Sequence, residues 1–327
     1  MKLGSSTFVL GAFATLALGL QAQTAITGVT TQLSAAGSST SEGLTFSNDT
    51  LAITGFTTAT TTYQATSLAN AAYARRNTVR GVTANNSSVW YAGTGTTFNA
   101  AHETNYADLL LGNNLYLGSD NTFANGTATN TGNIERLDFV FTGGIIAAAN
   151  QAFSVWDRGD AGVHDGFKIA AITGWDFARN RPSSYGTLVS VAGNWGATNV
   201  IGTQDYALFR YANGDTLTAN TAHNELGSQG AAGLVFTMAN LGVNPGTRIF
   251  GYSIFGNDVN ASSNNLTRWT NSGYFPTNTN GDTGSGGIDL LAVNGVMFTA
   301  VPEPATYAAL IGALTLGFVA FRRFRRR

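Results

Sequence analysis

The sequence predicts a mostly β protein: an antiparallel β-sandwich or jelly-roll-like body with one or two short helices. Three observations carry that prediction. Short runs of β-branched and aromatic residues recur at roughly even spacing, each bounded by Gly, Asn or Asp. Charged residues are only 11% of the 327. That is under half the usual ~25% and too few to clothe a coiled coil or a charged helical bundle. Hydrophobic residues at 43% supply a core, and Gly at 40 positions supplies turns. One all-β unit can take up most of a chain this long.

Met1-Lys2 opens a short positive region, and Phe8 to Leu20 is an apolar run. Residues 1–23 therefore read as a signal peptide, the run being too short for a comfortable membrane span. Residues 24–62 are rich in Thr, Ser, Ala and Gly and read as short strands and turns, or as a partly flexible lead-in. Residues 65–80 are Ala-rich with Arg75, Arg76 and Arg80 and are expected to form a helix. A second helix is expected over Ala100–Leu111, capped by Asn99 and ended by Gly112. From residue 134 the pattern is β. Candidate strands are Leu137–Phe141, Ala152–Trp156, Phe167–Ile172, Leu188–Val191, Tyr206–Tyr211, Leu234–Met238, Arg248–Phe255 and Ile288–Phe298. The body is thus 24–300, with 134–300 expected to form one β core. Ala-Ile-Thr-Gly recurs at residues 25, 52 and 171. No fixed period links the three, so they read as strands ending in Gly turns and not as a solenoid or propeller.

Charge is distributed unevenly. Between residues 24 and 301 there are 11 basic and 17 acidic residues, a net of −6, while five arginines end the chain. With a pI near 6.3, this is a targeting pattern and not a nucleic-acid face. The chain has no cysteine. A disulfide scaffold, a zinc-thiolate site, an iron–sulfur cluster and a Cys nucleophile are excluded.

The C-terminus is the most specific segment. Val301-Pro302-Glu303-Pro304 precedes 17 uncharged residues, Ala305 to Phe321, and then Arg322, Arg323, Phe324, Arg325, Arg326 and Arg327. As a helix, the uncharged run spans about 25 Å, enough to cross a bilayer with snorkelling arginines. The arginines would stay cytoplasmic and the body would lie outside. This motif, helix and basic end together resemble the PEP-CTERM sorting signal. The resemblance covers about the last 27 residues. It implies recognition by an exosortase, cleavage near the motif, and transfer to the cell surface or extracellular matrix. Three stretches of the body (Phe153–Gly159, His164–Lys168 and Ile249–Gly256) are similar to ectodomains of surface proteins bearing that signal, a likeness that brings no activity with it.

The densest polar cluster is Asp157-Arg158-Gly159-Asp160-Ala161-Gly162-Val163-His164-Asp165-Gly166. Asp157, Asp160 and Asp165 could serve calcium, which takes six to eight oxygens. The spacing fits no EF-hand. The other reading is a hydrogen-bonded loop in which the aspartates cap turns and Asp157 pairs with Arg158 or Lys168. Arg158-Gly159-Asp160 reads as a chance tripeptide. His102 lacks a second His at i+4, so no zinc-protease pattern exists. Trp90-Tyr91, Trp195 and Trp269 lie beside turn-like residues and suit either sugar stacking or sandwich packing. No nucleophile elbow, P-loop or dinucleotide fingerprint is present, so no catalytic residue or required cofactor is assigned. The expected function is an exported, exosortase-sorted surface or matrix protein. Its role would be structural or adhesive, with exopolysaccharide as a candidate partner. The alternatives are a calcium- or glycan-binding module and, less favoured, a secreted hydrolase.

Overall fold

The computed structural model of the chain describes residues 23–41, 44–76, 87–94, 97–99, 106–124, 134–196, 198–211, 217–277 and 287–302, with 315, 316 and 322 beyond them. It is mostly β, in antiparallel sheets. The first half carries β1 (Thr24–Ser34), β2 (Ser38–Ser41), β3 (Leu44–Ser47), β4 (Thr50–Thr58), β5 (Thr62–Leu68), β6 (Ala71–Arg76), β7 (Ser87–Thr94) and β8 (Thr97–Asn99). One short helix, α1 (Tyr106–Leu110), and β9 (Asn114–Asp120) follow. The rest comprises β10 (Ile134–Ile146), β11 (Gln151–Gly159), β12 (Phe167–Asp176), β13 (Arg181–Tyr185), β14 (Val189–Val191), β15 (Ile201–Tyr211), β16 (Leu217–Thr237), β17 (Arg248–Gly256), β18 (Leu291–Ala292) and β19 (Val296–Val301).

A two-residue period divides several strands between two cores. On β11, Phe153 and Val155 belong to one core, and Ala152 and Trp156 to the other. Met297 and Phe298 on β19 divide the same way, as do Tyr91 and Trp90 on β7. The larger sheet pairs in the order β9-β4-β5-β19-β11-β16-β15-β7, and β7 pairs back onto β9. The circuit is closed, and β1 bridges it from β16 to β4. Its inner face holds an aromatic cluster in which Phe56 lies 4.6 Å from Phe298 and 5.0 Å from Tyr63, ring to ring. Trp156 is fully buried there, its Nε1–H donating to Ser154 Oγ at 2.9 Å.

The outer face of β7, β11, β15, β16 and β19 packs on a second sheet, β13-β12-β17-β10-β6. Phe139, Phe153, Phe167, Phe236, Tyr252 and Ile254 fill that layer, each below 1% exposed. Burial of each stabilises the fold by about 1.5–3 kcal/mol. The far side of the second sheet is covered by residues 257–277, with Leu266 and Phe275 on Ala170 and Phe255. Arg136 anchors this cover, donating from one terminal nitrogen to Leu266 O at 3.1 Å. Asp138 holds Arg136 at 2.7 Å and Arg75 at 3.0 Å, and accepts from Ser253 Oγ at 2.7 Å.

Each of the eight predicted runs from residue 134 onward overlaps a strand, with one interruption. Ile288–Phe298 divides into β18 and β19 around Asn294, whose side-chain amide donates to Leu110 O and Leu291 O. Two readings are corrected and two are narrowed. The expected helix over 65–80 is instead the strands β5 and β6, residues 77–80 lying outside the described set. Ala72 and Ala74 face one core while Ala71 and Tyr73 face Trp175, so two-sided burial along β10 overrides alanine's helix propensity. The helix expected over Ala100–Leu111 is present at Tyr106–Leu110, residues 100–105 lying outside the described set. Of the two readings of residues 24–62, short strands and turns is the one found: β1 to β4 occupy the segment, and β1 pairs along β4. The repeated Ala-Ile-Thr-Gly glycines are not turns. Gly28 and Gly174 sit at register shifts inside strands, and a Cβ on Gly55 would lie 2.5 Å from Tyr63 O.

Among the described residues no helix is long and apolar enough to cross a membrane. The expected signal peptide lies outside the described residues apart from residue 23, as does the expected membrane helix apart from 315 and 316. Both cores draw on residues before 134, which revises the expectation that 134–300 folds alone. A 134–300 fragment lacks β1, β4, β5, β7 and β9, and so leaves Trp156 and Phe298 uncovered. We expect no cooperative thermal transition from it by far-ultraviolet circular dichroism, and a sharp one from 23–302. Cooperative melting of the shorter fragment would show that the circuit is dispensable.

Candidate functional site

β11 ends in two adjacent buried charges on opposite faces. Asp157 is fully buried. Its Oδ1 accepts from Asp289 N at 2.7 Å and its Oδ2 from Asp165 N at 2.8 Å. His164 Nδ1 stands 3.4 Å from Oδ2, and His164 Nε2 is 3.0 Å from Asn199 Oδ1. The imidazole stacks on Trp195 at 4.8 Å. Small residues make room for it: a Cβ on Gly196 (φ +69°) would come to 2.8 Å from its ring. Asp157 and His164 are at most 1% exposed, so the pair is sealed from solvent and serves as an internal brace.

This geometry decides the sequence-predicted cluster. Asp157 takes backbone N–H groups and not Arg158 or Lys168; Lys168 Nζ donates to Val259 O. Asp160 is exposed, and Asp165 is half-buried. No group of three His, Cys, Asp or Glu is arranged to hold a metal ion among the described residues. Burial raises the Asp165 carboxyl, Asp157 beside it adds to the rise, and His164 opposes it, leaving it pushed up to about 6. Arg158 is buried, so the Arg-Gly-Asp tripeptide is not displayed. Trp90 and Tyr91 are core residues on opposite faces, and Trp195 and Trp269 are half-buried against cores, so they form no exposed aromatic face. Of the expected sorting motif, Val301 ends β19 and Pro302 follows it exposed. Arg322 is exposed, and Glu303, Pro304, Arg323, Arg325, Arg326, Arg327 and His102 lie outside the described residues.

Arg158 points into the circuit and caps its core. It donates to Asp289 Oδ2 at 2.9 Å, Asp120 Oδ1 at 3.3 Å and Gln229 Oε1 at 2.7 Å. Its guanidinium lies 3.7 Å over the Tyr206 ring and 5.1 Å from Trp90. Such stacking adds about 2 kcal/mol where water is excluded. Beyond it opens a cavity of about 360 Å³, walled by Ser47, Asp49, Tyr116, Thr203, Gln204 and Asp205. A smaller space of about 10 Å³ adjoins it, sharing Ala92 and Gln204 and reaching Trp90 and Arg158. Asp120, Asp289, Gln229 and Tyr206 escaped the sequence reading. They stand 38 to 131 residues from Arg158, and no local pattern marks them.

No family model, curated protein or solved structure matches this chain.

The Asp165 carboxyl yields a signed prediction. Its folded pKa lies above the unfolded 3.8. Between about 4 and 6 the folded chain therefore holds more protons than the unfolded chain, and stability falls as pH rises. Asp165→Asn keeps the backbone donor to Asp157 and removes that loss. Its melting temperature should exceed wild type at about pH 8 and match it at about pH 3. Equal shifts at both pH values would assign the effect to packing.

Proposed function

We propose that this chain is an exported cell-surface or extracellular-matrix protein, sorted by an exosortase and structural or adhesive in role. The observation that carries the reading is the order of Pro302-Glu303-Pro304, an uncharged run and an arginine cluster, set directly after the last strand. Val301 still pairs with Thr62. Pro302 has no N–H to continue the ladder, so the body ends where the motif begins. A cut after the motif leaves every described pairing intact.

In this reading residues 1–23 are the signal peptide, 24–300 the sandwich-like body, and 305–321 a transient membrane helix held by Arg322, Arg323, Arg325, Arg326 and Arg327 on the cytoplasmic side. The exosortase is the processing partner, and extracellular polysaccharide is the matrix partner. The body's net charge of −6 gives no basis for a nucleic-acid partner. No catalytic role is assigned, since the one Asp–His pair described is sealed in the interior.

The expected surface form lacks the residues after Pro304, and Pro302→Ala with Glu303→Ala should accumulate as a membrane-held precursor. Intact mass spectrometry of surface-extracted protein reads both, and retention of Arg327 in the surface form would overturn the reading.

A further inference from the structure

The cavity beside Arg158 has the chemistry of a ligand site. Its volume of about 360 Å³ falls within the ~300–1,000 Å³ typical of small-molecule sites. Its walls alternate acceptors with neutral groups: the carboxylates of Asp49 and Asp205, the hydroxyls of Ser47 and Thr203, the amide of Gln204 and the ring of Tyr116. No Lys or Arg is among the described residues that line this outer space.

A second observation points inward. Arg158 Nε and Trp90 Nε1 are buried donors with no hydrogen-bond partner, and their residues are 5% and 2% exposed. Leaving a buried donor unmade costs about 1–3 kcal/mol. Both residues line the small adjoining space, whose ~10 Å³ admits one oxygen atom of water size. The site thus offers acceptors at its mouth and two unmet donors at its base. The remaining nitrogens of Arg158 are already committed to Asp120, Asp289 and Gln229. Among the described lining residues, Asp49 and Asp205 face the outer space, and the one guanidinium behind them is already paired with Asp120 and Asp289, so an anionic ligand is repelled.

We propose that this cavity binds an uncharged glycan unit. Ring hydroxyls would donate to Asp49 and Asp205, a sugar face would lie on Tyr116, and one hydroxyl oxygen would accept from Arg158 Nε and Trp90 Nε1. A neutral polyol supplies donors and acceptors on one small frame without bringing charge, which is what these walls accommodate. The proposal rests on the surface-matrix reading only for the source of the glycan.

The test is isothermal titration calorimetry on the full chain, purified in a zwitterionic detergent free of sugar headgroups. The probes are neutral glucose, galactose and mannose oligosaccharides, a galacturonate oligosaccharide, spermidine and calcium. Saturable binding of a neutral oligosaccharide is expected, with the galacturonate at least about tenfold weaker. Tyr116→Ala and Asp205→Asn should each weaken it by about tenfold or more, equivalent to ~1.4 kcal/mol. Phe177→Ala, at an aromatic 63% exposed and absent from the cavity wall, should leave it unchanged. Thr203→Trp, at an exposed wall position, should abolish binding by filling the space, and it carries the test if Tyr116→Ala fails to fold. Three results would overturn the proposal: no saturable neutral saccharide up to the solubility limit, binding confined to spermidine or calcium, or saccharide binding untouched by the cavity variants. Failure of the sorting reading would appear in the mass of the surface form and not in this titration.

Discussion

The pairing of buried charge at the end of β11 is the constraint on which the rest of the body depends. An unpaired carboxylate or guanidinium in a protein interior is strongly unfavourable, so each must be met by fixed partners. Asp157 and Arg158 are consecutive, face opposite sides of one strand, and are both buried. Asp157 fixes the 160–166 loop through Asp165 N and the 289 segment through Asp289 N. Arg158 fixes the same segment through the Asp289 carboxylate, and ties in β9 through Asp120 and β16 through Gln229. Two neighbouring residues therefore join pieces of chain that run from residue 120 to residue 289. Removing either partner would leave the other charge stranded, which is why such pairs specify one arrangement more than they add net stability.

The closed circuit explains the composition. A sheet with open edges invites pairing with other chains, and natural proteins blunt edges with lysine and other charge. This body carries a single lysine. It covers most of its main-chain donors by pairing β7 back to β9 and β19 to β5. Thr, Ser and Asn then decorate the strands through cross-strand bonds, such as Thr66 Oγ1 to Met297 O at 3.1 Å. Glycine serves close strand approach as much as turning. Gly233 lies under Trp156, where an added Cβ would reach the indole at 2.7 Å.

The legible part of the sequence is the local part. The runs around Phe139, Phe153, Ile169 and Ile254 alternate or stay apolar within a few residues, so their strands could be read directly. The strand at Ala71–Arg76 could not, because alanine reports its helix propensity while its state is set by β10, more than 60 residues away. Circuit closure was equally hidden, since Val301 pairs with Thr62 across most of the chain. The polar cluster was found because its aspartates are adjacent. Its function as a brace was not, because its decisive acceptor bond comes from Asp289 N, 132 residues on. The cavity had no local signature, as Asp49, Tyr116 and Asp205 converge only after β3, β9 and β15 are assembled.

The placement of the cavity relative to the chain exit gives the proposed site and tail a common geometry. Asp49, on the cavity wall, immediately precedes the first residue of β4. Val301 pairs with Thr62, which pairs in turn with Thr57 near the last residue of β4. The two therefore lie toward opposite ends of one strand, about 26 Å apart at ~3.3 Å per residue over eight residues. A body tethered by its C-terminal tail would hold that end of β4 toward the bilayer and the cavity toward the surroundings. Release of the tail would leave the described cavity walls in place, because none of the described wall residues belongs to β19 or lies beyond it. In the proposed reading, anchoring and ligand contact would thus be separable: the first would fall to the segment after Val301, and the second to side chains gathered around the far end of β4.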